Sequence, residues 1–134
     1  MKKDIDFLPV ENVLMAVALV DDDIKNPEWK VYIINRNSDK LDAVMITSKG
    51  YGQKDGEEQK TSILRHSIPF LDGGEYALVE PIQPEVFHLN NQYWVSYYIN
   101  EQIYDKKFIF VPDTIKEENL VPIKELGYKG ILHA

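Results

Sequence analysis

The sequence predicts an all-β fold, an antiparallel β-sandwich, and two segments carry most of that prediction. In residues 28–48 and again in 93–111, two runs rich in Val, Ile, Tyr and Phe flank a short polar turn. β-Branched and aromatic residues suit a pleated, half-buried surface, and Asn, Ser and Asp favour tight turns, so each segment is typical of a β-hairpin. Turn residues recur along the rest of the chain, which favours a sandwich of about seven or eight short strands.

The first half of the chain contributes three predicted strands. Residues 13–20 are apolar throughout, so periodicity alone allows either a buried strand or the core of a short helix. Their short length and the acidic run Asp21-Asp22-Asp23 after them favour a strand buried on both faces. Residues 29–35 form the second strand, and after a polar turn the chain returns as the third strand, residues 41–48.

A long mobile loop, residues 50–60, is predicted next, because two glycines precede a polar stretch. Residues 61–68 are read as a fourth strand, and Pro69 restricts it to a sheet edge or a strand end, since proline cannot donate to a ladder. Residues 75–81 and 86–89 are read as two further short strands.

The last third of the chain begins with the second hairpin, in which residues 93–99 pair with 103–111. Asp113 is expected to cap one helical turn over residues 114–119. Residues 121–134 contain Pro122, Gly127 and Gly130, and we expect an extended C-terminal tail there.

Composition limits the classes of function. The chain of 134 residues fits a single domain, residues 1–134, and its lack of cysteine excludes disulfides and thiolate chemistry. The net charge of −7 opposes phosphate backbones and there is no basic stripe, so we expect no nucleic-acid partner. We also expect no cofactor.

The N-terminal region has only part of the pattern of a secretion signal. Lys2 and Lys3 precede the apolar residues 13–20, but Asp4, Asp6 and Glu11 intervene where a signal peptide has a purely basic segment. No apolar run approaches the ~18 residues of a membrane span. The sequence therefore favours a cytoplasmic protein without a membrane partner.

Several motifs together resemble a family of small uncharacterised bacterial proteins. They are Lys30-Val-Tyr-Ile-Ile-Asn, Val44-Met-Ile-Thr-Ser-Lys-Gly-Tyr, Thr61-Ser-Ile-Leu-Arg-His, Lys107-Phe-Ile-Phe and Gly130-Ile-Leu. The similarity covers most of the chain, and the family has no established function to transfer. The strand pattern is also similar to that of immunoglobulin-like and fibronectin type III-like sandwiches, which implies that architecture.

Some members of that family carry the name of a phenylalanine tRNA synthetase alpha subunit. The residues here do not support aminoacylation, because a class II catalytic core needs a larger sheet and an arginine-bearing ATP motif. Arg36 and Arg65 are the only arginines in this chain, and its charge opposes tRNA.

The ligand-binding candidates are Tyr51, Arg65 and His66, with the 50–60 loop. A guanidinium can clamp a carboxylate or phosphate, and glycines let backbone N–H groups approach an anion. Neighbouring strand residues point to opposite faces, so Arg65 and His66 can share a site only if a bulge intervenes. The simpler reading is a surface strand in which Arg65 pairs with an acidic side chain.

No metal site is expected. Asp21-Asp22-Asp23 could offer oxygens to Ca²⁺, but the positions that an EF-hand loop fixes do not match, and a solvated acidic turn is favoured. His66, His88 and His133 lie far apart, without the short spacing of helical zinc motifs.

The aromatic residues of the second hairpin are the interface candidates, because aromatic side chains dominate interface hot spots. Alternation places Trp94, Ser96 and Tyr98 on one face and Tyr93, Val95 and Tyr97 on the other, and one face must enter the core. The predicted interface residues are Tyr93, Trp94, Tyr97, Tyr98 and Tyr104.

The function predicted from the sequence is a non-enzymatic interaction or structural module with a protein partner, including self-association as a homodimer. The alternative is a small-molecule or anion-binding protein using the 50–60 loop with Arg65 and His66. An enzyme would need His66 or His88 in a cavity beside a carboxylate or hydroxyl, and no catalytic residue is predicted.

Overall fold

The computed structural model describes residues 8–134, and the fold is all-β with two antiparallel sheets. Lys2, Lys3, Asp4 and Asp6 of the leader argument lie outside the described residues. The strands are β1 Val13–Asp21, β2 Glu28–Asn35, β3 Leu41–Lys54, β4 Glu57–Lys60, β5 Leu64–Leu71, β6 Tyr76–Ile82, β7 Asn90–Ile99, β8 Gln102–Phe110, β9 Val121–Ile123 and β10 Tyr128–His133.

The first sheet has the order β6-β2-β1-β10-β9. Its central strand, β1, is buried on both faces, as the sequence predicted. Val13, Met15 and Val17 face the main core, and Leu14 and Ala16 belong to a smaller apolar cluster on the outer face, which Ile123 and Leu126 from the C-terminal segment complete.

The second sheet contains β3 between β7 and an edge formed by β4 and β5, with β8 beyond β7. The β7–β8 hairpin predicted from the sequence is confirmed. Asn100 and Glu101 form its turn with φ of 48° and 68°, the left-handed backbone that matches the twist of a two-residue hairpin. Pro69 lies in β5, which is an edge strand, as proline requires.

The main core fills the space between the sheets. Its largest members are alternate residues of β1, β2, β3, β7 and β8, including Met15, Ile33, Ile46, Tyr93, Tyr97, Phe108 and Phe110. Period-two alternation therefore decides which side chains of the second sheet are buried and which form its outer face.

The first hairpin predicted from the sequence is wrong. β2 belongs to the first sheet and β3 to the second, so residues 36–40 cross between sheets. The fully buried Asn35 stabilises this crossing, because its Nδ2 donates to the carbonyl oxygens of Asp39, Leu71 and Asp72 at 2.9, 3.1 and 3.1 Å. The polar residues 36–40 therefore form a connection between the two sheets, and the residue types of such a connection are the same as those of a hairpin turn.

The predicted 50–60 loop is also wrong. β3 continues to Lys54, and Asp55 and Gly56 turn the chain with φ of 54° and 81° into β4. An Asp-Gly pair is a strong signal for a two-residue hairpin turn, and here it outweighs the polar character of the flanking residues.

Three smaller elements differ from the prediction. Pro84–Val86 is a 3₁₀ helix where a strand at 86–89 was expected. Glu117–Asn119 is likewise a 3₁₀ helix, preceded by Lys116 without a side-chain cap. Asp113 has a φ of 67° and so lies in a left-handed turn instead of at a helix start.

The C-terminal segment is a pair of strands, where an extended tail was predicted. β10 pairs with β1, with Met15 opposite His133 at one end and Leu19 opposite Lys129 at the other. On its other side β10 pairs with β9. Gly130 permits this, because a Cβ there would lie 2.6 Å from the Val17 carbonyl oxygen. Among residues 8–134, no helix has the length and apolar character needed to cross a membrane.

Candidate functional site

A β-bulge in β6 turns Glu80 toward the space between the sheets. Glu80 pairs with Val31 and Leu78 with Tyr32, so Val79 is an extra residue in β6. Val31 faces the core, and Glu80 shares its side of the sheet. Bulges redirect side chains in this way and occur often beside functional sites.

The Glu80 carboxylate accepts three side-chain hydrogen bonds from the second sheet. Its Oε1 accepts from Ser48 Oγ at 2.8 Å and from His66 Nε2 at 2.7 Å. Its Oε2 accepts from the Tyr93 hydroxyl at 3.3 Å. Burial raises the pKa of Tyr93 far above its usual range, and Glu80 adds to the effect, so the phenol remains a donor. We call Ser48, His66, Glu80 and Tyr93 the carboxylate cluster.

The arrangement of the carboxylate cluster differs from that of a hydrolase triad. In a triad the imidazole lies between the serine and the carboxylate and removes the serine proton. Here Ser48 and His66 both donate to the same Glu80 oxygen. The cluster therefore holds a carboxylate in a fixed position and does not activate the serine through the histidine.

A cavity of about 300 Å³ adjoins the carboxylate cluster and has Ser48, Glu80 and Tyr93 in its wall. The short connection between β4 and β5 forms one side. Thr61 N donates to the Gly50 carbonyl oxygen at 3.0 Å and Thr61 Oγ1 accepts from Gly50 N at 2.7 Å. Gly50 is needed for this approach, since a Cβ there would lie 2.9 Å from Thr61 Cγ2.

The three ligand-binding residues predicted from the sequence do not lie in one pocket. Tyr51 lines a cleft of about 530 Å³ beside the β3–β4 hairpin, together with Lys49 and Lys60. His66, opposite Ile46, belongs to the carboxylate cluster. Arg65, opposite Thr47, is exposed on the outer face of the second sheet. The alternation argument thus separated Arg65 from His66 correctly, since no bulge lies between them.

The five interface residues predicted from the sequence divide between core and surface. Tyr93 and Tyr97 are core residues, which corrects their assignment to an interface. Trp94 and Tyr98 remain 44% and 41% exposed on the outer face of the second sheet. Tyr104 is half-buried and stacks on Tyr97 with ring centroids 5.2 Å apart. Burial, with Tyr104 next in effect, raises the pKa of Tyr97 beyond its usual range.

Several large apolar side chains are exposed on the outer face of the second sheet. Met45, Phe70, Trp94 and Tyr98 are each more than two-fifths exposed, and we call them the aromatic face. Met45 and Trp94 border a groove of about 350 Å³ whose wall includes Thr47 and Ser96. The Trp94 indole N–H donates to Asp105, and the Lys107 ammonium lies 4.8 Å from its ring centroid.

The acidic run and the remaining histidines have structural roles. Asp21 Oδ1 accepts from Asp23 N at 3.0 Å, and Asp23 Oδ1 accepts from Lys25 N at 2.9 Å, as in Asx turns. His88 Nε2 lies 2.7 Å from Gln59 Oε1, and the His133 ring packs edge-on against Phe108 and Phe110. In the part of the chain that the structure describes, no three His, Asp or Glu side chains are grouped to hold a metal ion.

Comparisons with protein-family models, curated proteins and solved structures found no match. The family resemblance drawn from the sequence stays a prediction. The function is therefore inferred from the geometry of the carboxylate cluster and of the aromatic face.

Sequence reasoning missed Ser48 as a hydrogen-bonding residue and missed Glu80 entirely. A charged residue in the apolar run Ala77-Leu-Val-Glu-Pro-Ile was the available signal. Strict alternation would place Glu80 on the outer side with Leu78, and the bulge that reverses it has no reliable mark in the sequence.

Proposed function

We propose that this protein is a non-enzymatic interaction module whose aromatic face binds a second copy of the chain. The observation that carries the proposal is the exposure of Trp94 and Tyr98 beside Met45 and Phe70 on one sheet face. Soluble proteins rarely expose several large apolar side chains together unless the surface binds something. Trp and Tyr are also the residues that most often dominate binding energy.

The charges around the aromatic face support self-association. Lys107 and Asp105 on β8, Arg65 on β5 and Asp42 on β3 lie at outward positions, so both signs of charge are interspersed there. A two-fold axis brings a surface against its own copy, so a patch with both signs can place opposite charges across the interface. A patch of one sign would repel its copy.

The groove beside Trp94 supports the same proposal. It lies between Met45 and Trp94 and has small side chains, Thr47 and Ser96, in its wall. An aromatic side chain from the second copy can fill such a groove and exclude water from it. Hot spots of this kind commonly pair with one another across an interface.

The strand order supports an immunoglobulin-like assignment of the fold. In immunoglobulin constant-type domains strands A, B and E share one sheet and C, F and G the other. Reading β1, β2, β3, β6, β7 and β8 as A, B, C, E, F and G reproduces that division. β5 then lies beside C, and the β9–β10 pair extends the first sheet beyond A. Such sandwiches commonly serve as binding scaffolds, although fold alone does not determine function.

The test is the solution mass of wild type and two matched variants by light scattering, across a dilution series at low and high salt. Tyr98→Ala lies on the aromatic face, and Tyr128→Ala removes a tyrosine of similar exposure, 42% against 41%, from the first sheet. We expect Tyr98→Ala, and more strongly Trp94→Ala, to weaken dimerisation at least ten-fold, since hot-spot truncation costs about 1.4 kcal/mol or more.

The control Tyr128→Ala should dimerise like wild type. All three variants should keep thermal stability close to wild type, because each removes a side chain that is more than two-fifths exposed and lies outside the main core. A wild type that is monomeric at every concentration, or a Tyr128→Ala variant that loses the dimer equally, would contradict the proposal.

Anion binding in the cleft beside Tyr51 is the second candidate. Lys49 and Lys60 line the cleft, the Lys49 ammonium lies 5.7 Å from the Tyr51 ring centroid, and the Tyr51 hydroxyl donates to Gln92 Oε1 at 3.4 Å. Citrate and inorganic phosphate are suitable probes in thermal-shift assays. Lys60→Gln should abolish the anion-induced shift, whereas Arg65→Gln, which alters an exposed cation outside the cleft, should not.

A further inference from the structure

We propose that the cavity beside the carboxylate cluster binds a small organic cation, an ammonium or guanidinium compound, through Glu80. This site is separate from the aromatic face, and the inference does not depend on self-association. The bulge at Val79 brings the Glu80 carboxylate to the inner side of the sheet. Without the bulge, residue 80 would point outward.

Glu80, which lines the cavity, has unused acceptor capacity. An ionised carboxylate can accept about four hydrogen bonds, and Glu80 accepts three within the chain. Both short bonds fall on Oε1, whereas Oε2 has the longer 3.3 Å contact with the Tyr93 hydroxyl. Oε2 is therefore the oxygen with which an N–H donor of a ligand can form a short, charge-assisted bond.

The charge around Glu80 favours a cation. Its side chain is 13% exposed, and among residues 8–134 no lysine or arginine forms an ion pair with it. His66 donates from Nε2, which a neutral imidazole can also do. The lysine in the cavity wall, Lys49, directs its ammonium toward the Tyr51 ring on the outer face. The chain's net charge of −7 adds a favourable field for cations.

The cavity suits a small ligand with both polar and apolar parts. Its volume of about 300 Å³ is at the lower end of the range for small-molecule sites. Ser62, Gln83 and Asn91 supply polar groups, and Leu64, Ile82 and Val86 supply apolar surface for a short methylene chain. A diamine or an alkyl guanidine has this composition.

The experiment compares putrescine with butane-1,4-diol, a neutral molecule of the same chain length, by calorimetry and by NMR titration of backbone amides. We expect saturable binding of putrescine, with shifts concentrated at Gly50, Ser62 and Gln83, and no saturable binding of the diol. Agmatine should bind the same site as putrescine. Shifts spread over the acidic surface, or equal responses to the diol, would overturn the proposal.

Two charge-matched variants locate the site. Glu80→Gln and Asp22→Asn each remove one negative charge, and Asp22 is an exposed residue of the acidic turn. Glu80→Gln should weaken putrescine binding at least ten-fold, whereas Asp22→Asn should change it less than two-fold. Equal losses in the two variants would mean that putrescine responds to overall charge, and would overturn the site.

A third variant tests the site without altering Glu80, in case Glu80→Gln fails to fold. Ser62 is exposed and lines the cavity without bonding to Glu80, so Ser62→Phe obstructs the cavity and leaves the carboxylate cluster intact. We expect Ser62→Phe to abolish putrescine binding at unchanged thermal stability. Undiminished binding in Ser62→Phe would show that the ligand lies elsewhere.

Discussion

Asn35 is the last residue of β2, where the chain leaves the first sheet, and we expect Asn35→Ala to destabilise the fold severely. The side chain is fully buried. Its Nδ2 donates to three carbonyl oxygens, of Asp39, Leu71 and Asp72, and its Oδ1 accepts from Asn37 N at 3.0 Å. One amide thereby connects the crossover 36–40 with the turn between β5 and β6.

The cost follows from the burial of each partner. The Leu71 carbonyl is in a buried bond, and an unpaired buried polar group costs about 1–3 kcal/mol. The bonds to Asp39 and Asp72 are partly exposed, so water can replace the amide and each loss costs about 0.5 kcal/mol. The sum is about 3 kcal/mol, which for a domain of this size lowers Tm by about 10 °C.

Urea unfolding and calorimetry measure this loss, with Asn119→Ala as the control. Asn119 makes one exposed hydrogen bond, to the Thr114 carbonyl oxygen, and its removal should cost less than about 0.5 kcal/mol. A loss below about 1 kcal/mol in Asn35→Ala would refute the reasoning, because the carbonyl groups would then find other partners without difficulty.

Further predictions concern the neighbouring turn and one ion pair. Gly73→Ala should cost about 2–3 kcal/mol, because its Cβ would lie 2.5 Å from the Ser38 carbonyl oxygen. Gly74→Ala, at a φ of +81° with open space around it, should cost about 1 kcal/mol; equal losses by urea unfolding would contradict the steric argument. Hydrogen bonds from Arg36 lower the pKa of the Glu125 carboxyl, so this pair stabilises the fold above the ordinary glutamate pKa of about 4.3 and ceases to do so as the pH falls through the lowered value. Arg36→Gln should therefore cost about 1 kcal/mol at neutral pH, and the difference from wild type in urea midpoints should shrink as the pH is lowered and disappear once Glu125 is protonated in the folded state; a gap that persists in acid would assign the loss to packing.

The sequence predicted the individual strands better than their partners. Composition and alternation identified β1, β2, β7 and β8, because each is a run of apolar or alternating residues that records local burial. The β2–β3 error arose because a polar turn between two strands has the same residues whether the strands pair or lie in opposite sheets. Only distant partners distinguish the two, here the carbonyl groups of Leu71 and Asp72 that bind Asn35.

For the candidate sites, too, local features could be predicted from the sequence and long-range contacts could not. Alternation alone predicted that Trp94 and Tyr98 share a face, and that Arg65 and His66 do not. It could not say which face enters the core, because Tyr93 and Trp94 are equally apolar and the choice depends on the opposing sheet. The inward orientation of Glu80 could not be predicted from the sequence, because it results from one extra residue, Val79, whose placement depends on pairing with β2.

The place of β10 beside β1 in the first sheet has a consequence for folding kinetics. Met15 pairs with His133, so β1 has one neighbour, β2, that follows it directly and another, β10, that lies far along the chain. Pairing between such distant segments carries a large loop-closure cost and slows folding. Until β10 arrives, β1 presents an unpaired apolar edge, which is the kind of surface that aggregates. Any state of this protein in which β10 is undocked therefore exposes the β1 edge to pairing with other chains.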